Sequence, residues 1–137
     1  MVFLLAAGVS ACGQATVTPV ASGPGWTLLR TATPTQVKDG LAIAPLGDDQ
    51  VLVSATVPAG GTNCGAPTFA GFATAETTTL AKISRSPWDA SCAYISSTTY
   101  FIALDRTTIP AGVTAMAISD DWCTTPDRVC DAVPIPS

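Results

Sequence analysis

Residues 51–57 read Val-Leu-Val-Ser-Ala-Thr-Val, the clearest secondary-structure pattern in the chain. Valine and alanine occupy the odd-numbered positions, while leucine, serine and threonine occupy the even-numbered ones. Because successive side chains of a β-strand point to opposite faces, this period of two predicts a strand whose odd-numbered side chains are buried. The stretch 98–105, Thr-Thr-Tyr-Phe-Ile-Ala-Leu-Asp, is β-branched and aromatic, and it predicts a second strand that is buried on both faces.

The rest of the chain alternates short apolar runs with turn residues and shows no helical period. Further strands are predicted at 26–30, 41–44, 68–74, 78–84 and 112–119. Chain reversals are predicted at four glycine-containing segments: 38–40, 46–49, 58–60 and 110–112. About seven or eight strands at intervals of about ten to fifteen residues are typical of a sandwich or barrel rather than of alternating βαβ units.

These strands predict an all-β domain, an antiparallel β-sandwich that spans residues 26–130 and resembles immunoglobulin domains in its architecture. The immunoglobulin pattern of Trp and Tyr around the second cysteine is altered, because Trp88 precedes Cys92 by only four residues and Tyr94 follows it. Residues 131–137 contain two prolines and are predicted to form an extended tail.

The composition narrows the range of functions. Lys and Arg total 6 against 10 Asp and Glu, a net charge of −4, so no basic surface is available to neutralise a phosphate backbone, and we predict no nucleic-acid partner. Charged residues make up 12% of the chain, about half of the ~25% usual in soluble domains. The chain contains no histidine, the commonest general base and metal ligand. We predict no metal ion, no cofactor and no enzymatic activity.

The first residues predict export from the cytoplasm. Residues 2–8 are apolar, a length that suits the core of a signal peptide and falls far short of the ~20 residues of a membrane-spanning helix. Small residues follow at Gly8, Ser10 and Ala11, as signal peptidase requires. Residues 1–11 are therefore interpreted as a signal peptide, and because no Lys or Arg precedes the apolar run, we expect it to start upstream of Met1. The alternative is that residues 1–12 form a buried first strand ending in a free thiol.

Val9, Ser10, Ala11 and Cys12 resemble, place by place, the lipobox of bacterial lipoproteins: an aliphatic residue, two small residues and an invariant cysteine. The resemblance covers twelve residues. It implies that cleavage precedes Cys12, that the Cys12 thiol is diacylglycerated and that the new amino terminus is acylated. The lipid bilayer is then the partner of Cys12, and the protein is held at the extracytoplasmic face of the bacterial cell membrane. Residues 12–25, uncharged and rich in Gly, Pro, Ser and Thr, are predicted to be a flexible tether with a reach of roughly 20 Å.

The chain has five cysteines, and lipidation of Cys12 would leave four. In an exported chain, four cysteines imply two disulfides with three possible connectivities. We favour Cys64 with Cys92, and Cys123 with Cys130, because Pro126 helps to close the short turn between the last two. A zinc site is disfavoured, because the cysteines show no C-x-x-C spacing and no histidine can complete a tetrahedron.

Acidic residues surround the C-terminal cysteine pair: Asp120, Asp121, Asp127 and Asp131. Their oxygens could bind calcium, but the spacing does not match an EF-hand, and a solvated acidic turn is the preferred interpretation. Glycoside hydrolysis would need two facing carboxylates, and Glu76 is the only glutamate. A serine hydrolase with a lysine base could draw only on Lys38 or Lys82, and no Ser-x-x-Lys spacing occurs.

Aromatic side chains offer one possible binding surface. Trp26, Trp88 and Trp122, joined by Tyr94 and Tyr100, could form a platform for sugar rings, although such residues more often belong to a core or cover a disulfide. The sequence therefore predicts a membrane-anchored cell-envelope lipoprotein whose non-catalytic β-domain is a binding or structural module, with an envelope protein or a glycan as partner. The alternatives are a carbohydrate or cell-wall binding module that uses exposed aromatics, and a small hydrolase.

Overall fold

A computed structural model describes residues 21–60, 64–85, 93–123 and 129–137. In these ranges the chain forms nine β-strands, one 3-10 turn at Arg106–Thr108, and no α-helix. The strands are, in chain order, β1 (Ala21–Gly23), β2 (Trp26–Ala32), β3 (Gly40–Leu46), β4 (Gln50–Gly60), β5 (Pro67–Ala75), β6 (Thr78–Arg85), β7 (Tyr94–Asp105), β8 (Ala115–Ser119) and β9 (Val133–Pro134). The predicted all-β class is confirmed.

The strands form two sheets. The first sheet has five strands in the order β1-β2-β7-β4-β3, and the second has four in the order β5-β6-β8-β9. This arrangement fits the predicted sandwich. The pairing is antiparallel throughout except between β6 and β8, which run parallel, so the prediction of a wholly antiparallel sandwich was wrong at this pair. The cause is topological. After β6 the chain crosses to the first sheet, forms β7 there and returns to the second sheet, so β8 runs in the same direction as β6.

The core lies where the inward faces of the two sheets meet. Val51, Val53, Ala55 and Val57 of β4 are at most 1% exposed, so the period of two identified their buried face correctly. In β7, Ile102, Ala103 and Leu104 are buried, whereas Phe101 is half-buried, so the predicted burial on both faces holds for part of the strand. Burial of each valine-sized side chain stabilises the fold by about 1.5–3 kcal/mol.

Two of the predicted reversals are tight turns, and one was wrong. Residues 47–49 join β3 to β4 with Gly47 at φ +67°, and a turn that includes Gly112 at φ +90° precedes β8. Residues 58–60, in contrast, continue β4, and Pro58 lies opposite Ser97 of β7. The proline is tolerated there because β3 ends at Gly40, opposite Thr56, so that β4 has a strand neighbour on one side only.

The ordered domain extends beyond its predicted limits at both ends. Strand β1 lies within the predicted tether 12–25, and Gly25 at φ +74° turns the chain into β2. Strand β9 lies within the predicted tail 131–137, where the Ile135 N–H donates to the Thr114 carbonyl at 3.0 Å. Both are short edge strands, where residues of low β-propensity, proline included, are tolerated.

The disulfide prediction is met in part. Cys123 and Cys130 are disulfide-bonded with their Cα atoms 4.9 Å apart, as predicted. Cys64 also takes part in a disulfide. Cys92 and Cys12 lie outside the described residues, so the pairing of Cys64 with Cys92 and the lipidation of Cys12 stay predictions.

Candidate functional site

Trp26 packs against the hydrophobic core and is not part of an open aromatic platform. It begins β2 opposite Leu104 of β7, and its ring meets the ring of Phe69 edge-on, with centroids 4.9 Å apart and planes at 86°. Phe69 in turn contacts Phe72 at 5.2 Å. This cluster joins the edges of the two sheets at one end of the sandwich, and it leaves Trp26 half-buried.

Trp122 lies near the opposite end. Its ring packs edge-on against Tyr94, with centroids 5.1 Å apart. Tyr94 begins β7, whereas Leu104, the register partner of Trp26, lies ten residues further along the same strand, a distance of about 33 Å in a β-strand. Tyr100 is buried in the core, and Trp88 lies outside the described residues. The aromatics that the structure describes therefore do not form one flat sugar-binding surface.

The end that holds Tyr94 also holds a buried ion pair. Arg85 Nε lies 2.7 Å from Asp120 Oδ1, and Nη2 lies 2.7 Å from Oδ2, so the contact is bidentate. The two side chains are 2% and 0% exposed. The interpretation of Asp120 as part of a solvated acidic turn was wrong, because this carboxylate points between the sheets and not into solvent.

Arg85 also donates to two backbone carbonyls. Nη2 donates to the Pro58 carbonyl at 2.8 Å, and Nη1 donates to the Gly65 carbonyl at 3.2 Å. The guanidinium carbon lies 5.4 Å from the Tyr94 ring centroid. Burial lowers the pKa of Arg85, but the hydrogen bonds and charge of Asp120 outweigh it and raise the pKa overall. A charge that is paired and hydrogen-bonded in this way holds elements together and leaves little capacity for a ligand.

A pattern in the sequence indicates this pair. Thr79, Ala81, Ile83 and Arg85 alternate along β6 and face inward, and the same period continues from Met116 and Ile118 of β8 to Asp120. A charged residue at the end of each inward-facing series indicates a buried salt bridge. The sequence does not show that β6 and β8 are neighbours, however, because these two strands pair in parallel and are separated by β7 along the chain.

At the other end, the two sheets part to form what we call the Trp26 cleft, about 260 Å³ in volume. Its main lining residues are Pro24, Trp26, Phe72, Thr79, Leu104 and Ile109. None of the described lining residues is charged. Thr79 is 4% exposed, and its Oγ1 has no hydrogen-bond partner among the residues that the structure describes. The cleft is thus largely apolar, and the unpaired hydroxyl of Thr79 is buried in its wall.

A third feature bears on the hydrolase alternative. Lys82 and Ser119 are register partners on the outer face of the second sheet, and with Glu76 they line a shallow groove of about 450 Å³. No hydrogen bond joins the Lys82 and Ser119 side chains, and Lys82 is exposed, whereas a lysine that activates a serine is normally desolvated. The other lysine, Lys38, donates its backbone N–H to Ser97 Oγ at 2.8 Å, and this contact fixes the loop before β3.

Within the described ranges, no group of three or more Cys, Asp or Glu side chains could share a metal ion. None of the described segments forms a helix long and apolar enough to cross a membrane. Comparisons with protein-family models, with curated proteins and with solved structures find no match to this chain. The sites are therefore judged on their own geometry.

Proposed function

We propose that this chain is a lipid-anchored protein of the bacterial cell membrane whose β-domain acts on the extracytoplasmic side by binding and not by catalysis. The observation that carries the proposal is the match of residues 9–12 to a lipobox, and the short spacing between Cys12 and the domain adds what an anchor there would do. Strand β1 begins at Ala21, so eight residues, 13–20, separate it from Cys12. Nine residue steps span at most about 30 Å even when fully extended, so an acylated Cys12 would hold the domain close to the bilayer surface.

The disulfide chemistry supports location outside the cytoplasm. The Cys123–Cys130 bond is of the kind that forms and persists in oxidising compartments, which an exported lipoprotein would reach. We further propose Cys64–Cys92 as the second disulfide of the predicted sandwich. Mass spectrometry of non-reduced proteolytic peptides would then find these two linked pairs, and a peptide that links Cys64 to another cysteine would contradict this pairing.

The preference for binding over catalysis comes from the state of the polar groups. Asp120 accepts two hydrogen bonds from Arg85, and Arg85 donates two more to the backbone carbonyls of Gly65 and Pro58. Lys82 and Ser119 line one groove, with no hydrogen bond between their side chains. Neither pair provides a desolvated base within reach of a nucleophile, the arrangement that acyl-transfer enzymes require.

Cell fractionation tests the anchor. The full chain is produced in a bacterial host behind a short lysine-containing extension that supplies the n-region, both as wild type and as Cys12→Ser. The wild-type protein should enter the membrane fraction, and Cys12→Ser should leave it, because serine has no thiol to acylate. Ser10→Ala is the matched control, since it keeps a small residue in the lipobox and should remain in the membrane. Membrane retention of Cys12→Ser would contradict the proposal.

A further inference from the structure

The Trp26 cleft is a largely apolar depression between the two sheets. It is enclosed on one side by Trp26 and Leu104 of the first sheet and on the other by Phe72 and Thr79 of the second. Ile109, just after the 3-10 turn, completes the apolar lining. Apolar clefts with a few convergent polar groups are the usual form of small-molecule sites.

The unpaired hydroxyl of Thr79 is the feature that points to a ligand. Burial of a hydroxyl without a hydrogen bond is unfavourable, and nearly all buried polar groups in proteins have a partner. Thr79 belongs to the inward-facing series of β6, is 4% exposed and lines the cleft, yet none of the described residues accepts from or donates to its Oγ1. Oγ1 itself is sealed from solvent, so a bound molecule with a hydroxyl or carbonyl group would satisfy it after a rotation about χ1 that turns Oγ1 into the cleft.

The absence of charge in the lining defines the class of ligand. The nearest charged residues along the chain, Asp105 and Arg106, are engaged elsewhere: Asp105 Oδ1 accepts from Gln50 Nε2 at 2.9 Å, and Arg106 Nη1 donates to the Pro136 carbonyl at 2.9 Å. An ionised group in the cleft would therefore lose its hydration without gaining a counter-charge. The ligand is neutral.

The volume sets the size of the ligand. A cavity of about 150 Å³ lined by aliphatic and aromatic side chains accommodates benzene. The 260 Å³ of the Trp26 cleft therefore suits a molecule of about two fused rings or a ring with a short chain.

The rim of the cleft is held in place before any ligand arrives. The Asp105 N–H donates to the Gly25 carbonyl at 2.8 Å, and Thr108 Oγ1 donates to the Asp105 carbonyl at 2.7 Å. These bonds fix the turn before Trp26 against the 3-10 turn. A preformed site loses less conformational entropy on binding.

We propose that the Trp26 cleft binds a small, neutral, largely apolar molecule whose single hydroxyl or carbonyl group hydrogen-bonds to Thr79 Oγ1. The proposal concerns the β-domain itself, and it holds whether or not Cys12 is acylated.

Calorimetric titration with three matched probes tests it. The full chain carrying Cys12→Ser is titrated without detergent with 1-naphthol, with naphthalene, which lacks the hydroxyl, and with 1-naphthoate, which is charged. The protein with Thr79 unchanged should bind 1-naphthol saturably at one site. The affinity for 1-naphthoate should be at least about tenfold lower, because its carboxylate finds no positive partner in the cleft.

Two valine variants distinguish the contribution of the Thr79 hydroxyl to binding from that of the rest of the cleft. Thr79→Val should weaken 1-naphthol binding by about two- to tenfold, the value of one hydrogen bond, and leave naphthalene binding unchanged. Thr78→Val, on the outer face of the same strand, is the control and should change neither. Thr74→Trp, an exposed lining position, should block both neutral probes by filling the cleft.

Three results would overturn the proposal. They are failure of both neutral probes to bind saturably, equal affinity for 1-naphthol and 1-naphthoate, and a Thr79→Val variant that binds 1-naphthol as tightly as the wild type. Thr79→Val also removes an unpaired buried hydroxyl, so its melting temperature should rise, which shows that a loss of affinity does not come from unfolding. If neither neutral probe binds and Thr79→Val is more stable than the wild type, the cleft is not a ligand site.

Discussion

The side chains of Arg85 and Asp120 connect parts of the chain that are far apart in sequence. Through its four hydrogen bonds, Arg85 joins β6 to Asp120 after β8, to Pro58 of β4 and to the Gly65 carbonyl before β5. Both sheets are therefore linked by one guanidinium group. Buried pairs of this type are costly to break, although a well-packed apolar replacement of both partners is often tolerated.

Removal of one member of the pair should be strongly destabilising. We expect Asp120→Asn to lower the free energy of unfolding by about 3–5 kcal/mol, because Arg85 would keep its charge in a buried site without a counter-ion. The double variant Arg85→Met with Asp120→Leu should lie closer to the wild type. Urea unfolding measures both, with Asp48→Asn in the exposed β3–β4 turn as the control that changes stability by less than about 0.5 kcal/mol. Equal stability of Asp120→Asn and Asp48→Asn would contradict the assignment.

Tyr100 makes stability depend on alkaline pH. Burial raises the pKa of Tyr100 from 10.0 to about 12, with Arg85 opposing and Asp120 assisting. The folded state therefore keeps the phenol proton where the unfolded state loses it, so this contribution is fully present below pH 10.0 and is lost as the pH rises to about 12. The loss over this window should be about 2–3 kcal/mol. Unfolding at a series of pH values would check it, and Tyr100→Phe should have the flatter profile; identical profiles would exclude this role.

Among the strands and turns, the sequence predicted those with a strong local pattern. The alternation in 51–57 and the β-branched run 98–105 correspond to the interiors of β4 and β7. Strands β1 and β9 were not predicted, because they are only three and two residues long, contain Gly or Pro, and are held by edge pairing with β2 and β8. Pro58 was assigned to a turn because its place at the unpaired margin of β4 depends on where β3 ends.

The turn between β1 and β2 should be sensitive to a single methyl group. A Cβ on Gly25 would lie 2.0 Å from Thr108 Cγ2, and Gly25 has φ +74°. Gly112 has a comparable φ of +90° but nothing within 4 Å of its Cβ position, so it controls for backbone strain alone. We expect Gly112→Ala to cost about 1–2 kcal/mol and Gly25→Ala about 1–3 kcal/mol more, measured by urea unfolding. Equal losses of stability in the two variants would show that the contact with Thr108 does not contribute to the cost.

Taken as a whole, the molecule has two different ends. The buried ion pair of Arg85 and Asp120 lies toward the end where β7 begins, and the Trp26 cleft opens toward the end where it finishes. The sequence indicated that Trp26 and Trp122 were candidates for binding, but it could not place them, because their separation depends on the order and direction of strands in two sheets. Thr79 escaped notice for the same reason: a threonine in a strand is ordinary until its neighbours leave its hydroxyl without a partner.

The position of the domain relative to the membrane rests on the amino terminus. If Cys12 is acylated, the eight residues before β1 leave the domain little freedom to move away from the bilayer. Its ligand or partner would then have to be present at the membrane surface or in the adjoining envelope.

The most direct test is the intact mass of the protein extracted from the membranes of the bacterial host, without reduction. The lipid-anchor proposal predicts a chain that begins at Cys12 and carries the mass of a diacylglyceryl group and one further acyl chain. A mass that still includes residues 1–11, or a mature chain with an unmodified Cys12 thiol, would contradict it.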